Sequence, residues 1–196
     1  MRHADLRQRL LRAAEQEIAS SGPAKASLRG IARRVGVSHQ ATAHHFDDRA
    51  GLFTALAVEG FELLLEETAA AVEAAGTDGI ASGAQVAAAG AAYVGFTTRH
   101  PTMFDVMFRP ELLHVDDPRL LDVRRLHSDL LVQIVSAAQA EGWGAAVPTE
   151  ELAVMGWAAV HGLAVLQRDA QLGDMLPEID TALLLERVAR ALDALA

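Results

Sequence analysis

Apolar positions recur every three to four residues along nearly the whole chain, and no stretch alternates apolar and polar residues as a half-buried strand does. Leu6, Leu10, Ala14 and Ile18 form one stripe of a first helix, which ends at SSGPAKAS. Ser27 is placed to cap a short second helix from Leu28 to about Arg34, and Gly36 to close it in the left-handed region. Ser38 caps a third helix, His39 to His45. A long fourth helix runs from near Arg49 to Gly76. An Ala/Gly-rich helix over 79–98 ends at RHP, where Pro101 disfavours a helical His100. A short aromatic–methionine piece follows over 102–108. Asp117 and Pro118 read as an N-cap and first helical residue, opening a helix to about Gly142. Thr149 caps the next, and Pro177 opens the last. The pattern predicts an all-α chain of about nine helices. A three-helix N-terminal unit, residues 1–47, joins a larger bundle, 48–196, through the fourth helix.

Composition and charge sharpen this picture. Apolar residues make up 51% of the 196 positions, which supports a sizeable core. There is no cysteine, so disulfides and thiolate metal sites are excluded; that allows a reducing cytoplasm, and a cytoplasmic protein is the expectation. Residues 79–98 carry no charge and are long enough to span a bilayer. Their Ala, Gly, Ser, Thr and Gln content argues instead for a buried helix of a soluble protein. The net charge of −9 is uneven. In residues 1–53 nine Lys and Arg oppose five acids, a net +4, which leaves −13 for the rest. A basic end on an acidic body points to a polyanion partner at that end; chance clustering on solvated helix faces is the bland alternative.

Two short helices joined by a Gly-containing turn outline a helix-turn-helix. Ala32, four residues before Gly36, allows close helix approach, and Ile31, Val35 and Val37 supply apolar contacts. The second helix of the pair then presents Ser38, His39, Gln40, Ala41 and His44 outward, at a width that fits the DNA major groove. Gln pairs with adenine, and His reaches a base acceptor or a phosphate. Ser27 and Arg49, each at a helix start, bring a hydroxyl, backbone N–H groups and a cation to phosphates. An ordinary helical hairpin is the bland alternative to this spacing.

The stretch SLRGIARRVGVSHQATAHHFDDRAGLFTALAVEGF resembles the DNA-binding domain of TetR-family transcriptional regulators. Ile31, Ala32, Gly36, Val37, Ser38, His45, Phe46 and Leu52 fall in register with the pattern I-A-x-x-A-G-V-S, four variable residues, Y-x-H-F, x-x-K, x-x-L. The usual Tyr is Ala43, the usual buried Leu or Ile is Thr42, and the usual Lys is Arg49. The resemblance implies a homodimer with one recognition helix per subunit and a helical effector-binding C-terminal domain. With the Tyr absent, it leaves His44, His45 and Arg49 as phosphate partners.

The remainder is similar to the C-terminal domain of some members in which a Trp and a His-Gly pair share one helix, here WAAVHG from Trp157 to Gly162. Trp157 and His161 lie four apart and share a face, and Tyr93, Phe96 and His100 make a similar stripe. With Met103 and Met107 they offer much apolar area and few polar tips, which suits a mainly apolar effector. The last two helices carry wide apolar stripes: Leu152, Met155, Ala159, Leu163 and Leu166; and Ile179, Leu183 or Leu184, Val188, Leu192 and Leu195. A two-fold four-helix interface would bury them and set two recognition helices on one near-palindromic operator.

Histidine spacing has no metal signature, and there is no phosphate loop, nucleophile elbow or cysteine nucleophile. No enzyme, cofactor or metal is expected. The resemblance therefore implies a TetR-like DNA-binding transcriptional regulator and, as the family implies, a repressor released by its effector, which the residues suggest is small and mainly apolar. A ligand-binding helical dimer that has lost sequence-specific DNA binding is the alternative.

Overall fold

The computed structural model describes residues 3–76, 83–175 and 178–195. Among these the regular structure is wholly helical: α1 (His3–Ser21), α2 (Leu28–Val35), α3 (His39–Ala43), α4 (Arg49–Gly76), α5 (Ala84–Arg99), α6 (Pro101–Met107), a 3₁₀ turn (Pro110–Leu112), α7 (Pro118–Ala140), α8 (Thr149–Arg168), α9 (Gln171–Met175) and α10 (Thr181–Asp193). That is ten α-helices where periodicity predicts about nine, the addition being the five-residue α9. None of these helices is long and apolar enough to cross a membrane. Residues 79–82 of the expected Ala/Gly-rich helix and the expected opening at Pro177 lie outside the described residues.

The chain forms two compact units, Met1–Glu62 with His100–Arg124, and Leu63–Arg99 with Arg125–Ala196. In the first, Leu10, Ala14 and Ile18 of α1 are buried with Ile31 and Ala32 of α2, Phe46, and Leu52 and Phe53 of α4. Thr42, at the family's usual Leu or Ile position, is fully buried too. Met103, Phe104, Val106 and Met107 bury the inner face of α6. A Cβ at Gly60 would lie 2.6 Å from Met107 Sδ and 3.3 Å from Met103 Cβ, so glycine permits close approach of α4 to α6 here. The step from α5 to α6 falls at His100 (φ −129°, ψ 52°), with Pro101 as the first residue of α6. Asp117 Oδ1 accepts the N–H groups of Arg119 at 2.9 Å and Leu120 at 3.0 Å, the cap its sequence predicts.

In the second unit α5 packs on α8, and α10 packs on both. Gly90 allows this contact, since a Cβ there would meet Val160 Cγ2 at 3.3 Å and Leu185 Cδ2 at 3.6 Å. Val135, Ala138, Trp143, Leu152, Ala153 and Leu192 form a core cluster at one end. Thr149 differs from its expected capping role. It is the first helical residue of α8, after Pro148, and its hydroxyl donates to Gln139 Oε1 at 2.7 Å. Gln139 Nε2 in turn donates to the carbonyls of Gly144 and Val147, so one amide secures the whole α7–α8 connection. The last helix begins at Thr181, where Asp180 Oδ1 accepts from the N–H groups of Ala182 and Leu183.

Candidate DNA-binding face and ligand cavity

The turn between α2 and α3 is built by local chemistry. Ser27 Oγ accepts the N–H of Gly30 at 3.1 Å and starts α2. Gly36 ends it at φ 73°, where a Cβ would be strained, and Val37 N–H reaches the Ala32 carbonyl at 3.0 Å. Ser38 Oγ then accepts the N–H of Ala41 at 3.1 Å and starts α3. With Ile31, Ala32 and Thr42 turned into the core, Ser38, His39, Gln40 and His44 are left exposed, and Ala41 and His45 half-buried. His45 sets its ring against His44 at 5.9 Å and Phe46 at 6.4 Å, a partly inward placement.

Arg49 is half-buried. Its Nη2 donates to the Pro23 carbonyl at 2.5 Å, and its guanidinium lies 4.9 Å from the Phe53 ring centroid. It ties the start of α4 to the α1–α2 connection. Arg34 is likewise committed within the unit, with Nε on Glu17 Oε2 at 2.5 Å and Nη2 on Ser20 Oγ at 3.0 Å. Arg29 and Arg33 are exposed on α2, the helix before α3. Asp48 has a part the sequence does not announce. It accepts the N–H of Gly51 at 2.7 Å and a bond from His114 Nε2 at 2.8 Å, and the Gly51 amide foremost holds its carboxyl below the usual range. Backbone N–H of His114 also donates to Thr54 Oγ1 at 2.9 Å, so the 110–117 segment is fastened to the first turns of α4.

The second unit contains a cavity of about 60 Å³ between α4, α5, α7, α8 and α10. Its wall is mostly aliphatic, including Val86, Gly90, Leu131, Ile134, Val160 and Leu185. Four side chains with polar atoms reach it: Thr68, Tyr93, His127 and Trp157. Tyr93 is buried, and its hydroxyl pairs with His161 Nδ1 at 2.7 Å. Burial pushes the Tyr93 hydroxyl pKa up. The Trp157 ring centroid lies 5.7 Å from His161 and 6.3 Å from His127, and the Tyr93 ring 6.2 Å from His127. Burial pushes His127 down to about 4 and lowers His161, the latter helped by Arg168.

Of the expected effector residues, Tyr93 and Trp157 line this cavity, and His161 is bound to Tyr93. Phe96 is fully buried on α5 without lining it. His100, Met103 and Met107 belong to the first unit, where both methionines are fully buried. His127 is one of the cavity residues that sequence reasoning passed over. Its signal was a histidine standing on the apolar stripe Leu120, Val123, His127, Ile134 of α7, all buried. Among the described residues no group of His, Cys, Asp and Glu is arranged to hold a metal ion.

The family model described as bacterial regulatory proteins, tetR family, matches residues 10–56. That for the tetracyclin repressor-like C-terminal domain matches residues 86–192, more than half of the chain. The chain belongs to the TetR family. A protein of unknown function from Rhodococcus sp. RHA1 is 31% identical to this TetR-family chain, with a TM-score of 0.80 over 96% of this chain and 94% of that one. The fatty acid degradation regulator FadR from Bacillus halodurans shares the fold at a TM-score of 0.72 and 15% identity, over 95% of this chain and 93% of its own. FadR from Bacillus subtilis, solved in complex with stearoyl-CoA, does so at 0.70 and 14%, over 95% and 97%. No curated protein matches the sequence. The two family models take in, respectively, the α2–α3 helix-turn-helix and most of the cavity wall.

Proposed function

We propose that this TetR-family regulator is a cytoplasmic homodimeric repressor that binds a near-palindromic operator through α3 and is released by a small, mainly apolar effector. The observation that carries the DNA-binding part is the exposed polar surface of α3. Ser38, His39, Gln40 and His44 stand outward from a helix whose other side is anchored by buried Thr42, within the N-terminal stretch 1–53 that carries a net charge of +4. In this reading Gln40 reads a base, while Ser27, His44, His45 and Arg49 meet phosphates. The same exposed set speaks against a helical dimer that has lost DNA recognition.

Dimerisation is assigned to α8 and α10. The predicted stripes there are wide enough to serve two faces. Leu152, Leu163, Leu185 and Leu192 point into the unit, whereas Val154, Met155, Leu166 and Leu183 remain exposed. Exposed apolar groups of that size on neighbouring helices are what a two-fold partner covers. Effector contact is assigned to Tyr93 and Trp157, with His161 holding the Tyr93 hydroxyl. Ligand binding in the second unit then shifts the population between DNA-competent and incompetent states.

Selection of bound fragments from a random DNA library tests the reading. Enrichment of a near-palindromic site with half-sites about one helical turn apart, roughly 34–36 Å, is expected. Recovery of unrelated sequences with no shared motif would overturn it.

A further inference from the structure

We infer that Ala41, which shares an open groove with Ala43 and Leu6, reads the 5-methyl group of a thymine in the operator half-site. This assignment rests on the reading of α3 as the recognition helix. The groove lies between α3 and the start of α1, and its wall includes Leu6, Gln40, Ala41, Ala43 and His44. Leu6, Ala41 and Ala43 are half-buried, whereas Gln40 and His44 are exposed. The polar groups thus stand forward and the hydrocarbon is recessed among them. Residues 1–53 carry a net +4, nine Lys and Arg against five acids, which complements a polyanion in this groove.

A methyl side chain has neither donor nor acceptor. Set against the polar edge of a purine, it would strip water from that edge and return no hydrogen bond. Cytosine presents only a hydrogen at its C5 position. The thymine methyl is the feature of the major-groove edge that an alanine covers at a gain. The neighbours of Ala41 on α3 are committed otherwise. Thr42 is fully buried in the core. Ser38 Oγ caps the helix, accepting the Ala41 N–H at 3.1 Å. Gln40 offers an amide, which suits adenine. The small side chain of Ala43, where the family pattern has Tyr, leaves the groove open to a base edge.

The test uses the intact protein and the operator recovered by selection. Each thymine of a half-site is replaced in turn by deoxyuridine, which removes the methyl and keeps every polar group of the base. One replacement is expected to weaken binding about fourfold, the worth of one buried methyl group. At that position 5-methylcytosine should bind about fourfold tighter than cytosine, because the two present the same polar edge and differ only in the methyl. Ala41→Gly should bring thymine and deoxyuridine to near parity there. Ala41→Ser, a milder change for the helix, should also lower the ratio by setting a hydroxyl against the methyl. Each comparison is a ratio within one protein, so a general loss of affinity in a variant cancels. Deoxyuridine replacements that all leave affinity unchanged would overturn the inference. So would equal binding of cytosine and 5-methylcytosine, or a thymine-to-deoxyuridine ratio that survives in either Ala41 variant. A selection that returns no shared motif strikes the DNA-binding reading and this assignment with it. A shared motif without methyl dependence strikes this assignment alone.

Discussion

The recognition helix and the cavity present opposite solutions to placing polar groups. On α3 the polar side chains point to water, and the structure behind them exists to hold a five-residue helix outward by a cap at each end. Around the cavity Tyr93 and His127 are drawn inward, burial favours the neutral His127 ring, and the wall comes from five helices far apart in the chain. The first arrangement is local and electrostatically open, suited to a large anion. The second is non-local and electrostatically quiet. One chain can carry both because each is supported by its own core.

The largest expected effect breaks the second region while sparing the first. Leu152 is fully buried in the cluster with Val135, Trp143 and Leu192, and Leu152→Ala should cost about 2–5 kcal/mol, read as a lower denaturant midpoint. DNA affinity measured well below the melting temperature should be retained, because α3 and that cluster belong to different units. Equal loss of both would show that the contrast between regions is false.

Acid should separate them next. His127 titrates near 4 in the folded chain and near 6.5 unfolded, so below 6.5 the unfolded chain binds the extra proton. Its contribution is therefore complete above pH 6.5 and is lost as pH falls toward 4, by up to roughly 3 kcal/mol. His161 acts in the same direction. Urea unfolding at pH 7 and pH 4.5 measures the loss, and His127→Phe should flatten it; an equal slope in the variant would count against a neutral buried His127.

Gln40→Ala sharpens the other side. If Gln40 pairs with adenine, the variant should lose about 1–3 kcal/mol of discrimination at one operator position while the unfolding midpoint stays put. An unchanged selected motif would remove Gln40 as a base reader. Ser38→Ala is the smallest change. The lost bond to Ala41 N–H should lower stability by about 1 kcal/mol and weaken binding to all sequences alike. Calorimetry and a gel-shift series check the two parts.

Sequence alone determined what depends on neighbours in the chain. The caps at Ser27, Ser38 and Asp117, the left-handed Gly36 and the break at His100–Pro101 each follow from bonds or sterics within four residues, and each stands where its residues predict. Thr149 is an instructive exception. Thr149 finds a better partner in Gln139, ten residues away, and α10 starts at Thr181 because Asp180 caps it. Only the tertiary structure decided which apolar stripe faces what. Tyr93, Phe96, Met103 and Met107 read alike as spaced aromatic and soft side chains, yet Tyr93 lines a cavity while Met103 and Met107 fill the core of the other unit beside Gly60. His127 lay hidden because helical periodicity says that a position faces inward, not whether the space it meets is filled. That depends on the volumes of side chains brought from helices dozens of residues apart, which no local pattern records.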